Sequence, residues 1–139
     1  MKREEIKKML PHREPMLLVD EVELDENGIA HGVYKVRGDE WFLNGHFPGN
    51  PVVPGVILCE IMAQTCAILL GDLILGKTPY YTSISKARFK DKVRPGDVVN
   101  ISASLVKHKD PFYFTTCEAR VNDKCCATGE LSFAVIEGR

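Results

Sequence analysis

Residues 55–75 have the sequence GVILCEIMAQTCAILLGDLIL, and this stretch decides the fold because nearly all of its residues are apolar. It follows Pro54 and ends before Gly76, which are typical positions for the two ends of a helix. At about 1.5 Å per residue, the segment predicts a helix roughly 30 Å long. Apolar residues lie on every face of that helix, so we expect it to be buried on all sides.

A membrane-spanning helix is the alternative for an apolar segment of this length. Glu60, Gln64 and Asp72 lie inside the segment, and strands are predicted for much of the remaining chain, so we expect the helix to be buried in protein. The N-terminus, MKREEIKKML, is charged from its second residue and lacks the apolar stretch of a secretory signal. These features favour a cytoplasmic protein with no membrane contact.

The sequence before the apolar segment predicts a short helix and two strands. The helix covers residues 3–10 and stops at Pro11. Two strands, at residues 16–24 and 29–36, are joined by the dipeptide at residues 27–28, Asn-Gly, which is a strong hairpin signal. Residues 38–54 are rich in proline and glycine and predict a constrained irregular loop.

The sequence after the apolar segment predicts four more strands separated by turn residues. They lie at residues 80–93, 98–107, 112–121 and 125–136. Short turns favour pairing of each strand with the next one along the chain, so we expect an antiparallel meander. One long apolar helix and about six strands predict an α+β fold in which one sheet curves around the helix. A second subunit would cover the helix face that the sheet leaves open.

The composition fits a single globular domain covering residues 1–139, with 45% hydrophobic and 27% charged residues. The net charge is −1, which favours neither nucleic acid nor an anionic membrane as a partner. The chain has five cysteines, an odd number, with no CxxC pair and no histidine at metal-finger spacing. We therefore expect reduced thiols and no metal site.

Three residues close together in the sequence suggest proton chemistry beside a carbonyl group. Glu60 lies near the start of an apolar helix, where burial would raise the pKa of its carboxyl and make it a general acid. His46 lies in a loop fixed by prolines and glycines, which would position its imidazole as a general base. Gly55 begins the helix, where free amides can polarise a carbonyl oxygen. Together they fit removal of an α-proton with loss of a β-hydroxyl.

Each of these residues also has a purely structural interpretation. The Glu60 carboxylate would simply interact favourably with the positive N-terminal end of the helix dipole. His46 would be a surface loop residue, and Gly55 would be part of an ordinary Pro-Gly helix start. The other histidines have weaker cases for function, because they lie in a polar stretch, in a strand and in a turn; they are His12, His31 and His108.

Three segments of the chain resemble the signatures of the bacterial 3-hydroxyacyl-acyl carrier protein dehydratases. Residues 45–64, GHFPGNPVVPGVILCEIMAQ, resemble the most specific of them. Residues 10–22, LPHREPMLLVDEV, and residues 86–97, KARFKDKVRPGD, resemble two others in the expected order. The resemblance implies the hotdog fold, in which an antiparallel β-sheet wraps around a long central α-helix.

The resemblance also implies an activity: dehydration of (3R)-hydroxyacyl-acyl carrier protein to the trans-2-enoyl thioester in fatty acid biosynthesis, without a cofactor. It assigns the general base to His46, the general acid to Glu60 and the carbonyl-binding amide to Gly55. Glutamate at position 60 resembles the branch that does not isomerise its product. Gln64 lies one helical turn after Glu60 and is expected to orient its carboxyl group.

The implied partners are acyl carrier protein and further copies of the chain. Family sites pair the histidine of one chain with the carboxylate of its neighbour, which implies a homodimer or a trimer of dimers. Five cations alternate along one predicted strand, so they would share a face: Lys86, Arg88, Lys90, Lys92 and Arg94. Acyl carrier proteins are acidic, so such a strip would steer them toward the site. A charge-protected edge strand is the structural alternative.

Two other functions stay open from the sequence. One is a different hotdog enzyme, such as an acyl thioesterase or an (R)-specific enoyl-CoA hydratase. The other is a non-catalytic hotdog subunit that only binds acyl chains.

Overall fold

The computed structural model describes residues 1–138, which form two α-helices, two short 3-10 helices and one six-stranded sheet. The α-helices are α1 (Arg3–Met9) and α2 (Gly55–Ile68), and the 3-10 helices are Trp41–Leu43 and Gly71–Ile74. The strands are β1 (Glu21–Leu24), β2 (Ala30–Lys35), β3 (Lys77–Phe89), β4 (Val98–Lys109), β5 (Phe112–Val121) and β6 (Lys124–Glu137).

The sheet is antiparallel throughout, with the strand order β1-β2-β4-β5-β6-β3. The predicted four-strand meander is wrong at β3, which pairs with β6 and not with β4. Both edges of β4 are occupied, one by β2 and one by β5. The connection from β3 to β4 covers residues 90–97 and is too long to force a hairpin, so β3 can lie at the far edge of the sheet.

The central helix begins at Gly55 as predicted but ends earlier than expected. It stops at Ile68, and its 14 residues span about 21 Å. Gly71 follows with a φ of +56°, a left-handed conformation that commonly ends helices. The helix is buried along most of its length, yet Val56 in its first turn is 75% exposed, so the predicted burial on all sides is wrong there. No helix within residues 1–138 has the length and hydropathy needed to cross a membrane.

The helix and the sheet approach each other closely at Gly32 of β2. A methyl group at this position would lie 2.9 Å from Cγ2 of Thr65, which is fully buried on α2. Thr65 has little freedom to move, because its hydroxyl donates a hydrogen bond to the Ile61 carbonyl at 3.1 Å. Glycine at position 32 therefore sets the spacing between helix and sheet.

We expect Gly32→Ala to lower the free energy of unfolding by about 1–3 kcal/mol, because the added methyl overpacks the contact with Thr65. Urea denaturation of the purified protein measures this loss. Gly129→Ala is the matched control, since a methyl group there would make ordinary contacts at 3.8 Å or more within a strand of the same sheet. Equal stability losses in both variants would show that the spacing at Gly32 is not special.

Candidate active site

Glu60 lies in the second turn of α2, and Gln64 holds one side of its carboxyl group. The Gln64 amide nitrogen donates to Glu60 Oε2 at 2.9 Å and to the Met16 carbonyl at 2.7 Å. The Gln64 oxygen accepts from the Leu18 amide at 2.8 Å. Gln64 is only 1% exposed, and these bonds satisfy its amide group. The structure therefore brings Gln64 to Glu60 in the way that their spacing on the helix predicts.

Two further side chains reach the same carboxyl group from other parts of the chain. The Tyr81 hydroxyl, on β3, donates to Glu60 Oε1 at 3.1 Å. His12, in the loop after α1, places Nε2 at 3.4 Å from Glu60 Oε2. From sequence, His12 has only a weak case for function, and no sequence pattern singles out Tyr81. The segment at residues 10–22 that resembles a family signature was the one available signal for His12.

These contacts reverse the expected direction of the Glu60 pKa. Burial raises the pKa of Glu60, but the contact with His12 and the hydrogen bonds from Gln64 and Tyr81 outweigh burial and hold it below its ordinary value. The prediction of a raised carboxyl pKa is therefore wrong for this chain. Burial, followed by the Glu60 charge, raises the pKa of Tyr81, so the tyrosine hydroxyl stays protonated and donates.

His46 is held by the loop that precedes α2. Its Nδ1 lies 3.0 Å from the Val52 carbonyl oxygen, and the Val52 amide donates back to the His46 carbonyl at 2.8 Å. Its ring also stacks on Phe47, with 4.3 Å between the ring centroids. Because a carbonyl oxygen only accepts, the contact places the proton on Nδ1 and leaves Nε2 as the basic atom.

Gly55 is the first residue of α2, and the ring of Phe89 lies directly against it. A methyl group at position 55 would lie 3.0 Å from that ring. Glycine therefore allows Phe89, the last residue of β3, to cover the start of the helix. The first amide groups of α2 point out of the helix beside this ring and are available to a carbonyl oxygen.

A cavity adjoins Glu60 and follows α2 toward its C-terminal half. Its helix wall is Glu60, Ala63, Gln64 and Ala67, and its other lining residues are His12, Pro79, Tyr80, Tyr81 and Phe133. Beyond Glu60 the helix wall is formed largely by small alanines, and three aromatic side chains and a proline contribute to the rest of the lining. Neither His46 nor Gly55 lines this cavity, so a single chain does not bring the three predicted site residues together there.

The five cations predicted to share one strand face do not do so. β3 ends at Phe89, so Lys90, Lys92 and Arg94 lie beyond the strand. Within β3 the pairing with β6 shifts between Ser85 and Arg88, and Lys86 at this bulge has a φ of +51°. The bulge breaks the two-residue alternation on which the prediction depended. All five cations are nevertheless exposed, and they form a basic segment at residues 86–94.

Within residues 1–138, no cluster of three histidine, cysteine, aspartate or glutamate side chains is arranged to hold a metal ion. The five cysteines all have free thiols.

Comparisons with known proteins place this geometry among enzymes. A family model described as a FabA-like domain matches residues 10–130. The chain is 42% identical over 137 residues to the 3-hydroxyacyl-acyl-carrier-protein dehydratase FabZ of Macrococcus caseolyticus, covering 96% of this chain and 94% of that protein. It is 46% identical over 134 residues to the FabZ of Clostridium botulinum strain Langeland, covering 94% of this chain and 93% of that protein.

Solved structures show the same fold at lower sequence identity. The dehydratase heterocomplex ApeI:P from Xenorhabdus doucetiae superposes with a TM-score of 0.80 at 22% identity, covering 93% of this chain and 89% of that one. The thioesterase HI1161 from Haemophilus influenzae gives a TM-score of 0.62 at 21% identity, covering 84% of this chain and 78% of that one. One architecture is thus shared by a dehydratase and a thioesterase, and the fold does not separate these two activities.

Proposed function

Since the chain belongs to the FabA-like domain family, we propose that it removes water from (3R)-hydroxyacyl-acyl carrier protein and forms the trans-2-enoyl thioester in fatty acid biosynthesis. The predicted α+β hotdog fold is confirmed by the sheet order, the helix and the solved neighbours. Relatives at 42% and 46% identity over more than nine-tenths of the chain support a hydro-lyase over a thioesterase. The observation that carries the proposal is the half-buried Glu60 carboxyl, held by polar side chains beside an apolar cavity.

The proposed reaction needs one base, one acid and one carbonyl-binding amide. His46 takes the α-proton at Nε2, because its Nδ1 is occupied by the Val52 carbonyl. Glu60 gives a proton to the β-hydroxyl, which leaves as water. The Gly55 amide donates to the thioester oxygen, where negative charge develops as the α-proton departs. The steps require only proton movement and the breaking of one C–O bond, so the residues present suffice for the chemistry.

A second copy of the chain would complete this site. His46 does not line the cavity beside Glu60 within one chain, so we propose that His46 of one copy meets Glu60 of another in a homodimer or a trimer of dimers. β3 supports this assembly, because it lies at the edge of the sheet and exposes large apolar side chains. Tyr80 is 57% exposed, Ile84 48% and Phe89 52%.

We also propose that the chain forms a single domain and that the protein acts in the cytoplasm.

Product analysis tests the activity directly. Wild-type protein is incubated with a panel of 3-hydroxyacyl-acyl carrier proteins, and the products are identified by mass spectrometry. A loss of 18 Da from the acyl chain, about the mass of one water, is the expected result. Release of free acid would instead identify a thioesterase. Recovery of every substrate unchanged would identify a non-catalytic acyl-binding subunit.

We propose that the basic segment at residues 86–94 docks acyl carrier protein. The segment is exposed, and Phe89 within it touches the start of α2, so a bound carrier protein would lie close to Gly55. Lys86 is 3.7 Å from Glu130 and both side chains are largely exposed, so this ion pair leaves the lysine accessible to a partner.

Lys86→Glu combined with Arg88→Glu is expected to lower kcat/KM about tenfold for carrier-protein substrates at low salt, because charges at an interface rim act mainly on association. Small thioester mimics should be turned over at nearly the wild-type rate. Added salt should narrow the difference in kcat/KM between the variant and wild type, because salt screens the charges that act on association. Lys107→Glu combined with Lys109→Glu, on β4, is the charge-matched control. Equal losses on both kinds of substrate would contradict docking at this segment.

A further inference from the structure

His12 makes a contact with Glu60 that the proposed chemistry has not yet used. Its Nε2 lies 3.4 Å from Glu60 Oε2, and the His12 side chain is 23% exposed. Its other ring nitrogen, Nδ1, is fully buried and has no hydrogen-bond partner within residues 1–138. The imidazole therefore makes its polar contact through Nε2, with the carboxyl group of Glu60.

The surroundings of Glu60 create a difficulty for an acid. His12, Gln64 and Tyr81 all make polar contacts with the carboxyl group, and such contacts favour its ionised form. The pKa of Glu60 lies below its ordinary value despite burial, which raises it. A general acid must nevertheless hold a proton when the hydroxyl leaves. Glu60 alone is poorly suited to hold that proton at neutral pH.

His12 is the one neighbour of Glu60 within residues 1–138 whose contacting atom can either give a proton to the carboxyl group or take one from it. Tyr81 faces Glu60 from β3, and burial together with the Glu60 charge raises its pKa, so it keeps its own proton. Cys59 precedes Glu60 on α2, and burial with the Glu60 charge raises the pKa of its thiol. Gln64 does not titrate. The His12 imidazole, in contrast, presents Nε2 to the carboxyl group, and a ring nitrogen can act as donor or acceptor.

We propose that His12 and Glu60 hold one proton as a pair and deliver it to the departing hydroxyl group. The inference rests on the proposed dehydration. When the C–O bond breaks, the single proton of the pair passes from His12 Nε2 through Glu60 to the leaving hydroxyl, which departs as water and leaves the pair without a proton. His46 meanwhile takes the α-proton, and the proton count is restored when His46 releases it to solvent and the pair takes one up. His12 is thus a positioning residue that acts through Glu60.

The pH dependence of kcat/KM distinguishes this role from a structural one. Above the pH at which the pair loses its proton, activity falls, which gives the alkaline limb of the profile. In His12→Gln the carboxyl group must hold the proton alone, and it releases the proton at lower pH than an imidazole pair does. Ordinary imidazole and carboxyl groups differ in pKa by about two units. Removing His12 also removes a contact that lowers the pKa of Glu60, so we expect the alkaline limb to move to lower pH by about one pH unit or more. At pH 8 this corresponds to a loss of about tenfold or more.

Three further variants sharpen the test. His12→Asn also removes the imidazole and should show the same movement, so the result does not depend on a single variant folding. Tyr81→Phe removes a hydrogen bond to the same carboxyl group but no proton store, so its alkaline limb should not move to lower pH. His31→Gln disrupts a histidine–carboxylate pair at 2.8 Å, with Asp25, outside the site and should leave the profile unchanged.

The possible outcomes separate the two proposals. If wild-type protein forms no enoyl product, the proposed dehydration itself fails. If wild-type protein turns over and the folded His12 variants keep the wild-type alkaline limb, with only a uniform loss of rate, the shared proton is refuted and the dehydration stands. Thermal unfolding of each variant shows whether it is folded under the assay conditions.

Discussion

His46→Ala and Glu60→Gln are each expected to lower kcat/KM for 3-hydroxyacyl-acyl carrier protein by about 100- to 10,000-fold. His46→Ala removes the basic Nε2 that its Nδ1 contact with Val52 leaves available. Glu60→Gln keeps the volume of the side chain and an oxygen that can accept from Gln64 or Tyr81, but it cannot give a proton to the hydroxyl. The fold should survive both changes, because neither residue belongs to the hydrophobic core.

Steady-state kinetics with a carrier-protein substrate measure the losses, and thermal unfolding checks the fold. His108→Ala and Glu26→Gln are chemically matched controls at exposed positions outside the site, and both should keep wild-type activity. A His46 or Glu60 variant with near-normal turnover would show that the proposed base or acid is misassigned.

Mixing the two inactive variants is expected to restore about a quarter of wild-type activity. If each site takes its histidine from one chain and its carboxylate from the other, a mixed dimer carries both defects in one site and none in the other. Random exchange makes about half of the dimers mixed, and each mixed dimer has one intact site of two. The restored activity therefore comes only from pairing an intact His46 of one chain with an intact Glu60 of the other.

Native mass spectrometry confirms that subunits have exchanged before activity is measured. The control mixture contains His46→Ala and the double variant that carries both substitutions. No dimer formed from these two chains has an intact site, so this mixture should stay inactive. Absence of recovery in the test mixture after confirmed exchange would place both residues of each site in one chain.

Local signals in the sequence located several elements correctly. β5 covers residues 112–121 as predicted, and α2 begins at Gly55. Proline, glycine and asparagine act on their immediate neighbours, so the ends that they set can be recognised without tertiary contacts. The end of α2 was misplaced because the apolar run continues through Gly71, and a hydrophobic pattern alone does not show a left-handed backbone.

Pairing and site assembly depend on contacts that local patterns do not contain. The sequence did not predict that β3 pairs with β6, because that choice depends on which strand edges remain open after the other strands pair. Glu60 and Gln64 could be associated because they are one helical turn apart. His12 and Tyr81 come from distant segments, so local patterns do not show their contacts with the Glu60 carboxyl. The predicted rise in the Glu60 pKa is wrong for this reason.

The hydrogen bonds of Gln64 have a consequence for the order of folding. They join α2 to residues 16–18, which are separated from Gln64 by 46 and 48 positions in the chain. Such contacts close a large loop, whose entropic cost must be met before the contact forms. The helix can form before this loop closes, but the carboxyl group of Glu60 is clamped only afterwards. We therefore expect a refolding chain to gain its helical signal earlier than its oriented carboxyl group, and recovery of catalysis to mark the docking of the N-terminal segment.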